Sequence, residues 1–181
     1  GTFNNNGGTV NYNGAAAQNI APVTYNNLTI SGAGQKNATG TVNVTTLLNV
    51  IVGSVLDMAG NTLSAGSITN SGTIRFSGAS NGIATSTGTI VYYGSSQSIT
   101  AGAYNNLTIS QSAGDATLSG NSSVSGTLTF ANGRIVTGAN VLTLTSTAAA
   151  ISGANASRYI NGNLAWTLPV GVNPDRKFEI G

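Results

Sequence analysis

The chain contains no cysteine and no histidine among its 181 residues. Without these residue types it can form neither a disulfide nor a Cys–His, Ser–His–Asp or zinc–cysteine/histidine site. Its 4 carboxylates, Asp57, Asp115, Asp175 and Glu179, are scattered singly. Because glycosidases need a facing carboxylate pair, the composition predicts a protein that is not an enzyme and holds no metal or cofactor.

Charge is also scarce, since charged residues make up 6% of the chain and the formal net charge is +2. A typical soluble domain is about one quarter charged, so Asn, Ser and Thr carry most of the polarity here. So small an excess of positive charge does not predict a nucleic-acid-binding surface. The most apolar stretch, 47–59, includes Asn49 and Asp57 and is shorter than the ~20 residues that span a bilayer, so no membrane span is predicted.

The dominant feature that is present is an internal repeat, because the heptapeptide YNNLTIS at 25–31 returns unchanged at 104–110. Each copy predicts a turn at Asn-Asn followed by a strand whose side chains alternate inward and outward. Asparagines stacked in a ladder that satisfies backbone groups explain the pair better than ligand binding does. The residues predicted to define the repeat are Tyr25, Asn26, Asn27, Leu28, Ile30, Tyr104, Asn105, Asn106, Leu107 and Ile109.

A second pattern, glycine-threonine-aliphatic-x-aromatic-x-glycine, occurs at 8–14, 72–78 and 88–94, with a looser copy at 126–130. Each copy predicts a short strand between two corners. Together the two patterns align 8–64 with 88–143, which gives a long repeat of about eighty residues. We therefore interpret the chain as two copies of one structural unit.

The sequence predicts an all-β chain, and two architectures fit it. The favoured one is a β-solenoid, similar to a parallel β-helix, with short strands and Gly, Asn and Ser corners; the alternative is a tandem of β-sandwich domains. Frequent corner residues, many small side chains and the lack of a central Trp favour the solenoid. With roughly 20 residues per coil, the chain would make about nine coils and, at about 4.8 Å per coil, a rod on the order of 40 Å long.

The amino-acid composition of the sequence changes near Arg158. We predict a solenoid region at 1–157 and, at 158–181, either a cap over the last coil or the start of a following module. The last segment contains the only Trp of the chain and half of its charges. The residues predicted to serve capping or assembly are Tyr159, Leu164, Trp166 and Pro169.

These motifs, with Gly60-Asn61-Thr62-Leu63, resemble the repeats of large secreted bacterial surface proteins, especially adhesin-like proteins of Bacteroidota. The segment 159–164 followed by 168–171 is similar to the sequence after such repeats. The resemblance covers most of the chain and carries over no functional residue. It implies an extracellular or cell-surface location and a piece of a longer protein.

Two functional hypotheses follow. The first is an extracellular structural or adhesive rod segment without enzymatic activity, which continues into a longer chain or self-associates head to tail into filaments. The second is a binding module for surface or environmental polysaccharide, or for ice, which uses outward pairs such as Thr127 and Thr129 or Thr143 and Thr145.

Tyrosines could add an aromatic strip to such a binding surface, made of Tyr12, Tyr25, Tyr92, Tyr93 and Tyr104. Tyr12 and Tyr92 have the inward parity of Val10 and Ile90, so for these two we expect packing. Tyr93 is then the best surface candidate.

Overall fold

In a computed structural model of the protein, residues 3–4, 6–78, 83–85, 87–146 and 149–167 are described. Their regular structure is entirely β, which confirms the predicted class. No helix in these ranges is long and apolar enough to cross a membrane. The strands are β1 (Thr9–Tyr12), β2 (Gln18–Ile20), β3 (Thr24–Ile30), β4 (Lys36–Ala38), β5 (Val42–Val50), β6 (Val55–Asp57), β7 (Leu63–Asn70), β8 (Thr73–Phe76), β9 (Thr89–Ser95), β10 (Ser98–Ile99), β11 (Gly102–Tyr104), β12 (Asn106–Ala113), β13 (Ala116–Leu118), β14 (Ser122–Val124), β15 (Thr127–Asn132), β16 (Ile135–Leu144), β17 (Ala150–Ser152) and β18 (Ile160–Trp166).

The strands form three parallel sheets that run along one solenoid. A four-stranded sheet has the order β1-β3-β5-β7, and an eight-stranded sheet has the order β17-β15-β12-β9-β8-β6-β4-β2. The third sheet has the order β10-β13-β16-β14-β11, with β18 paired to β16. Parallel pairing of successive coils confirms the β-solenoid, because a β-sandwich is built from antiparallel strands.

The described residues form a solenoid of about eight turns. The expected nine referred to the whole chain, of which 168–181 lie outside the described part. Coil length is not constant. Thr73 pairs with Thr89 only 16 residues later, whereas Ile135 pairs with Ile160, which is 25 residues later. Corners absorb these differences while the strands stay in register.

The core consists of columns of inward side chains, one from each coil. In the eight-stranded sheet, Leu56, Ile74, Ile90, Leu107 and Leu128 lie one above another and are completely buried. Full burial of such a side chain is worth about 1.5–3 kcal/mol. The aliphatic positions of the Gly-Thr-aliphatic motifs at 72–78, 88–94 and 126–130 therefore each supply one layer of this column.

The two repeat copies have the same internal pairing but lie in different sheets. Val10 pairs with Leu28 in the four-stranded sheet, and Ile90 pairs with Leu107 in the eight-stranded sheet. The change occurs where β8 and β9 follow one another in the eight-stranded sheet. The second unit therefore stacks on the first after a shift by one side of the coil.

Each copy also contains a pair of tyrosines whose hydroxyl groups form hydrogen bonds with the backbone of a corner, from inside the coil. In the first copy the hydroxyl oxygens of Tyr12 and Tyr25 are 3.0 Å apart. Tyr25 donates to the carbonyl oxygen of Ala21 at 2.8 Å, and the Ala21 N–H donates to Tyr12 Oη at 3.3 Å. The pair thus satisfies both backbone groups of one residue that turns the chain.

The second copy reproduces this arrangement. The hydroxyl oxygens of Tyr92 and Tyr104 are 3.1 Å apart, Tyr104 donates to the Thr100 carbonyl, and the Thr100 N–H donates to Tyr92 at 3.1 Å. Burial, reinforced by the partner tyrosine, raises the pKa of Tyr25 and of Tyr104 above the ordinary value. These hydroxyls are therefore structural.

The predicted Asn-Asn turn is wrong for the first copy, whereas in the second copy Asn105 forms a bend between β11 and β12. Asn26 and Asn27 lie within β3, where the pairing with β5 shifts register, and the described non-glycine residues with positive φ are Asn6, Ala59 and Ser96. The Asn26 side chain donates to the Gly7 carbonyl at 2.9 Å and accepts from threonines of the following coil. Asparagine side chains do link neighbouring coils here.

The predicted asparagine ladder is not formed between the two copies. They lie several coils apart, so one Asn pair does not stack on the other. In the second copy Asn105 donates to the Gly88 carbonyl at 3.4 Å, and Asn106 Oδ1 accepts from the Thr127 N–H at 2.9 Å. Each pair therefore bridges to threonine and glycine residues of the adjoining coils.

The segment after Arg158 continues the stacking as far as it is described. β18 pairs in parallel with β16, with Leu164 opposite Leu142 and Trp166 opposite Leu144. Pro169 and the remainder of 168–181 lie outside the described residues. The boundary at 157 and the choice between a cap and a following module stay predictions.

A corner near the first coils packs backbone against backbone. Lys36 is completely buried, and its ammonium group donates to the carbonyl oxygens of Gly14, at 2.9 Å, and Gly34. A Cβ added at Gly34 would lie 2.0 Å from the Ala16 carbonyl oxygen of the preceding coil. Only glycine allows this approach between coils.

We predict that Gly34→Ala lowers the free energy of unfolding by about 1–3 kcal/mol, because backbone must move to admit the methyl group. The matched control is Gly60→Ala, where nothing lies within 4 Å of the added Cβ; it should change stability by less than about 0.5 kcal/mol. Denaturant unfolding followed by circular dichroism measures both. Equal stabilities of the two variants would contradict the close coil contact.

Candidate functional site: the outer face of the eight-stranded sheet

Short, neutral side chains form two parallel columns on the outer face of the eight-stranded sheet. We call this surface the outer array. Its first column comprises Thr73, Thr89, Asn106, Thr127 and Ala150, and its second comprises Val91, Thr108, Thr129 and Ser152.

The array follows from strand alternation. Inward Ile90, Leu107 and Leu128 leave their neighbours on each strand pointing outward, and the residues that β9, β12 and β15 contribute to the array are half-buried. Neighbours within a column are about 4.8 Å apart, and the columns are separated by about 6.6 Å, two residues along a strand. Hydroxyl and amide groups thus recur on a regular grid.

Of the threonine pairs predicted from the sequence, the structure places one in this array. Thr127 and Thr129 lie beside Thr108 of the preceding coil. Thr143 lies in another sheet, opposite Ser123 and Ala165, and Thr145 follows the end of β16. The two predicted pairs therefore do not form one surface.

A cluster of larger polar side chains adjoins the array toward the first coils. We call it the Asp57 cluster; it comprises Gln35, Asn37, Asp57, Arg75 and Tyr93. Asn37, Asp57 and Arg75 occupy one outward column, since they pair in register across β4, β6 and β8. Stacking alone therefore brings together residues that are far apart in the sequence.

Asp57 is the centre of this cluster and is almost fully buried, with 6% of its surface exposed. Its Oδ1 accepts from the Tyr93 hydroxyl at 2.6 Å and from the Ala59 N–H at 2.8 Å. Its Oδ2 accepts from Gln35 Nε2 at 3.1 Å and lies 3.7 Å from Arg75 Nη1. Both carboxylate oxygens are thus engaged by donors of the protein.

Arg75 and Tyr93 close the cluster toward solvent. The guanidinium carbon of Arg75 lies 4.5 Å from the centre of the Tyr93 ring, and Arg75 Nη1 donates to Gln35 Oε1 at 3.1 Å. Burial, and then the hydrogen bond to Asp57, raises the pKa of the Tyr93 phenol. At neutral pH this group is therefore a protonated donor.

The predicted tyrosine strip is not formed. Tyr25, Tyr92 and Tyr104 are buried, and Tyr12 packs half-buried against the core. The expected packing of Tyr12 and Tyr92 is confirmed. Tyr93 is the one of the five that lies on the outer face, as predicted, but its ring is covered by Arg75.

Among the residues proposed for capping or assembly, Tyr159 contacts Arg134. Arg134 Nη1 donates to the Tyr159 hydroxyl at 3.1 Å, and the guanidinium carbon lies 5.6 Å from the ring centre. Arg134 also pairs with Asp115 through two hydrogen bonds of 2.8 Å. Leu164 and Trp166 are half-buried against the last described coil.

The chemistry offered by this face is recognition through hydrogen bonds. Asp57 and Asp115, the carboxylates within the described ranges, are each paired with an arginine. No group of three or more metal-binding side chains occurs in that part of the chain. The chain shows no significant match to a protein-family model, a curated protein or a solved structure.

We predict that Asp57→Ala destabilises the fold by about 1–3 kcal/mol, because half-buried donors from Tyr93, Gln35 and Ala59 lose their acceptor. Asp115→Ala is the matched control, since it removes an arginine-paired aspartate whose side chain is 28% exposed; its thermal midpoint should move much less. Thermal unfolding compares the two. A larger loss for the Asp115 variant would contradict the central role of Asp57.

Proposed function

We propose that the protein is a structural and adhesive rod segment of a bacterial extracellular surface protein or fibre, without enzymatic activity. The observation that carries the proposal is the uninterrupted parallel stacking of coils through both repeat units. Such stacking fixes every coil to its neighbours by backbone hydrogen bonds and resists bending. The resemblance to adhesin-like repeats of Bacteroidota supports the location and the class.

Side-chain contacts between coils also support a mechanical role. Asn26 spans from the Gly7 carbonyl on one side to Thr45 and Thr46 on the other. The tyrosine pairs hold the corners from inside. Many polar side chains of the protein thus make contacts between coils. Such contacts suit a segment whose role is to be long and rigid.

End-to-end assembly belongs to the same proposal. β1 and β2 lie at one end of their sheets, and β17 and β18 lie at the other. Edge strands present backbone N–H and C=O groups that can pair with another chain. A head-to-tail contact of this kind does not close on itself and gives a filament.

We expect far-ultraviolet circular dichroism to show β structure without appreciable helix, and electron microscopy to show rods joined end to end. Sedimentation velocity should show association that increases with concentration and decreases when 158–181 is deleted. A compact globule would contradict the rod. Uniform monomers at high concentration, unaffected by the deletion, would contradict non-covalent assembly and leave only continuation into a longer chain.

A second candidate function is binding of an ordered polysaccharide or ice through the outer array. The observation that favours it is the in-register alignment of Thr73, Thr89, Asn106 and Thr127, beside Thr108 and Thr129. A surface on which hydroxyl groups recur in register from coil to coil suits a ligand that is itself periodic. The neutral composition of the array suits an uncharged ligand.

The repeat supplies a matched pair of variants to test this candidate. Thr108 and Thr29 occupy the same place in the same heptapeptide, but Thr108 lies in the array and Thr29 in the four-stranded sheet. Thr108→Lys should abolish retention on insoluble glycans or inhibition of ice growth, whereas Thr29→Lys should preserve it. The bulky charge disrupts one row of the grid without entering the core.

Binding through the outer array can be excluded by two results. Wild-type protein that neither pulls down with insoluble glycans nor changes the growth of ice crystals would eliminate it, and equal effects of the two variants would place binding elsewhere. The thermal midpoints of both variants provide the control for folding.

A further inference from the structure

The two copies of the repeat differ at the outer edge of their first strands, β1 and β9. Their first strands are equivalent: β1 pairs with β3 in the register in which β9 pairs with β12, so that Thr9 faces Asn27 as Thr89 faces Asn106. The corner hydrogen bond is also repeated, since Asn27 N–H donates to Gly8 O and Asn106 N–H donates to Gly88 O. The two strands differ on their other edge.

In the second copy that other edge is covered by β8. Thr73 pairs with Thr89, Ile74 with Ile90 and Phe76 with Tyr92. The Thr89 N–H donates to the Gly72 carbonyl at 2.9 Å, and the rings of Phe76 and Tyr92 lie 6.0 Å apart. β8 carries the Thr-aliphatic-x-aromatic pattern itself, so the joint is made between two strands of the same pattern.

In the first copy, β1 is the last strand of its sheet, and no strand in the described part of the chain lies against its outer edge. The consequence is visible in burial. Ile90 and Tyr92 have no exposed surface, whereas the equivalent Val10 and Tyr12 are only half-buried. The difference accompanies the absence, among the described residues, of a strand such as β8 beside β1.

We propose that the outer edge of β1 binds one parallel strand with the pattern Thr-aliphatic-x-aromatic, supplied by another solenoid unit of this kind. The incoming Thr aligns with Thr9, its aliphatic residue with Val10 and its aromatic residue with Tyr12. The Thr9 N–H donates to the carbonyl of the residue before the incoming Thr, as Thr89 does to Gly72. This inference rests on the proposed end-to-end function and specifies the strand that makes the joint.

Strand addition of this type gains affinity from backbone hydrogen bonds and specificity from alternate side chains. Here the inward residues of the incoming strand extend the two core columns that end at Val10 and Tyr12. Its outward residues remain in solvent and are free to vary, as Arg75 of β8 and Asn11 of β1 differ. The recognised features are therefore the aliphatic and aromatic positions and their spacing of two.

The probe is a synthetic peptide with the sequence of residues 71–78, which contains β8. At saturating peptide we expect amide hydrogen exchange to slow by about tenfold in β1, equivalent to about 1.4 kcal/mol, without a comparable change in β17 or β18. A control peptide in which the positions of Ile74 and Phe76 are serine should give no protection. Protection by both peptides, or by neither up to the solubility limit, overturns the proposal.

A matched variant of the protein tests the geometry. Thr9→Pro removes the N–H that points to the incoming strand, and proline is tolerated at the first residue of an edge strand. This variant should keep the circular dichroism spectrum and lose the peptide-dependent protection. Should it misfold, Val10→Ser, which leaves the backbone donors in place and shortens the core column, is expected to weaken binding at least tenfold. Undiminished peptide binding by a folded variant overturns the assigned register.

The outcomes separate this proposal from the function it rests on. A rod by microscopy that does not bind the peptide retains the proposed function and eliminates the β1 joint. A globular shape without fibres eliminates the function whatever the peptide does. If the peptide also suppresses the association seen in sedimentation, another copy of the chain uses the same edge.

Discussion

The structure depends on one constraint, that every coil must present its neighbour with strands in parallel register. Backbone hydrogen bonds and the inner side-chain columns both require it, and each outward column exists because of it. The constraint acts on strands and leaves corners free. This explains why coils that differ by nine residues in length, between the Thr73–Thr89 and Ile135–Ile160 pairs, stack in one solenoid.

The polar residues follow from the same constraint. In a chain with few charges and no disulfides, corners are stabilised by hydroxyl, amide and ammonium groups that bond to backbone carbonyls of the same coil or of an adjoining one. A buried polar group is costly unless it is hydrogen-bonded. The tyrosine pairs and Lys36 meet this condition with backbone partners, which makes them part of the corner structure.

The fold class was predictable because its signals are local. Short strands, corner residues and the inward parity of Tyr12 and Tyr92 can all be recognised within a few residues. The extended geometry of Asn26 and Asn27 was not predictable, because the Asn26 side chain bonds to Gly7 of another coil and thereby holds an extended conformation that propensity alone does not favour.

The outer array could not be recognised in the sequence for a related reason. Its threonines lack a constant sequence spacing, and only the strand register aligns Thr89 with Thr73 and with Asn106. The Asp57 cluster has no motif, because stacking of β4, β6 and β8 creates it.

The shift by one side between the two repeat copies bears on how a longer array would look from outside. Identical local sequences, such as those around Thr29 and Thr108, point in different directions because the second unit is turned about the long axis. With three sides to a coil, a succession of units joined in this way would return to its original orientation after three steps. Any motif copied from unit to unit would then wind around the rod as a spiral, and neighbouring copies would be screened from one another by the body of the protein. Such a fibre could offer the same chemistry in every direction without any unit having more than one distinctive side.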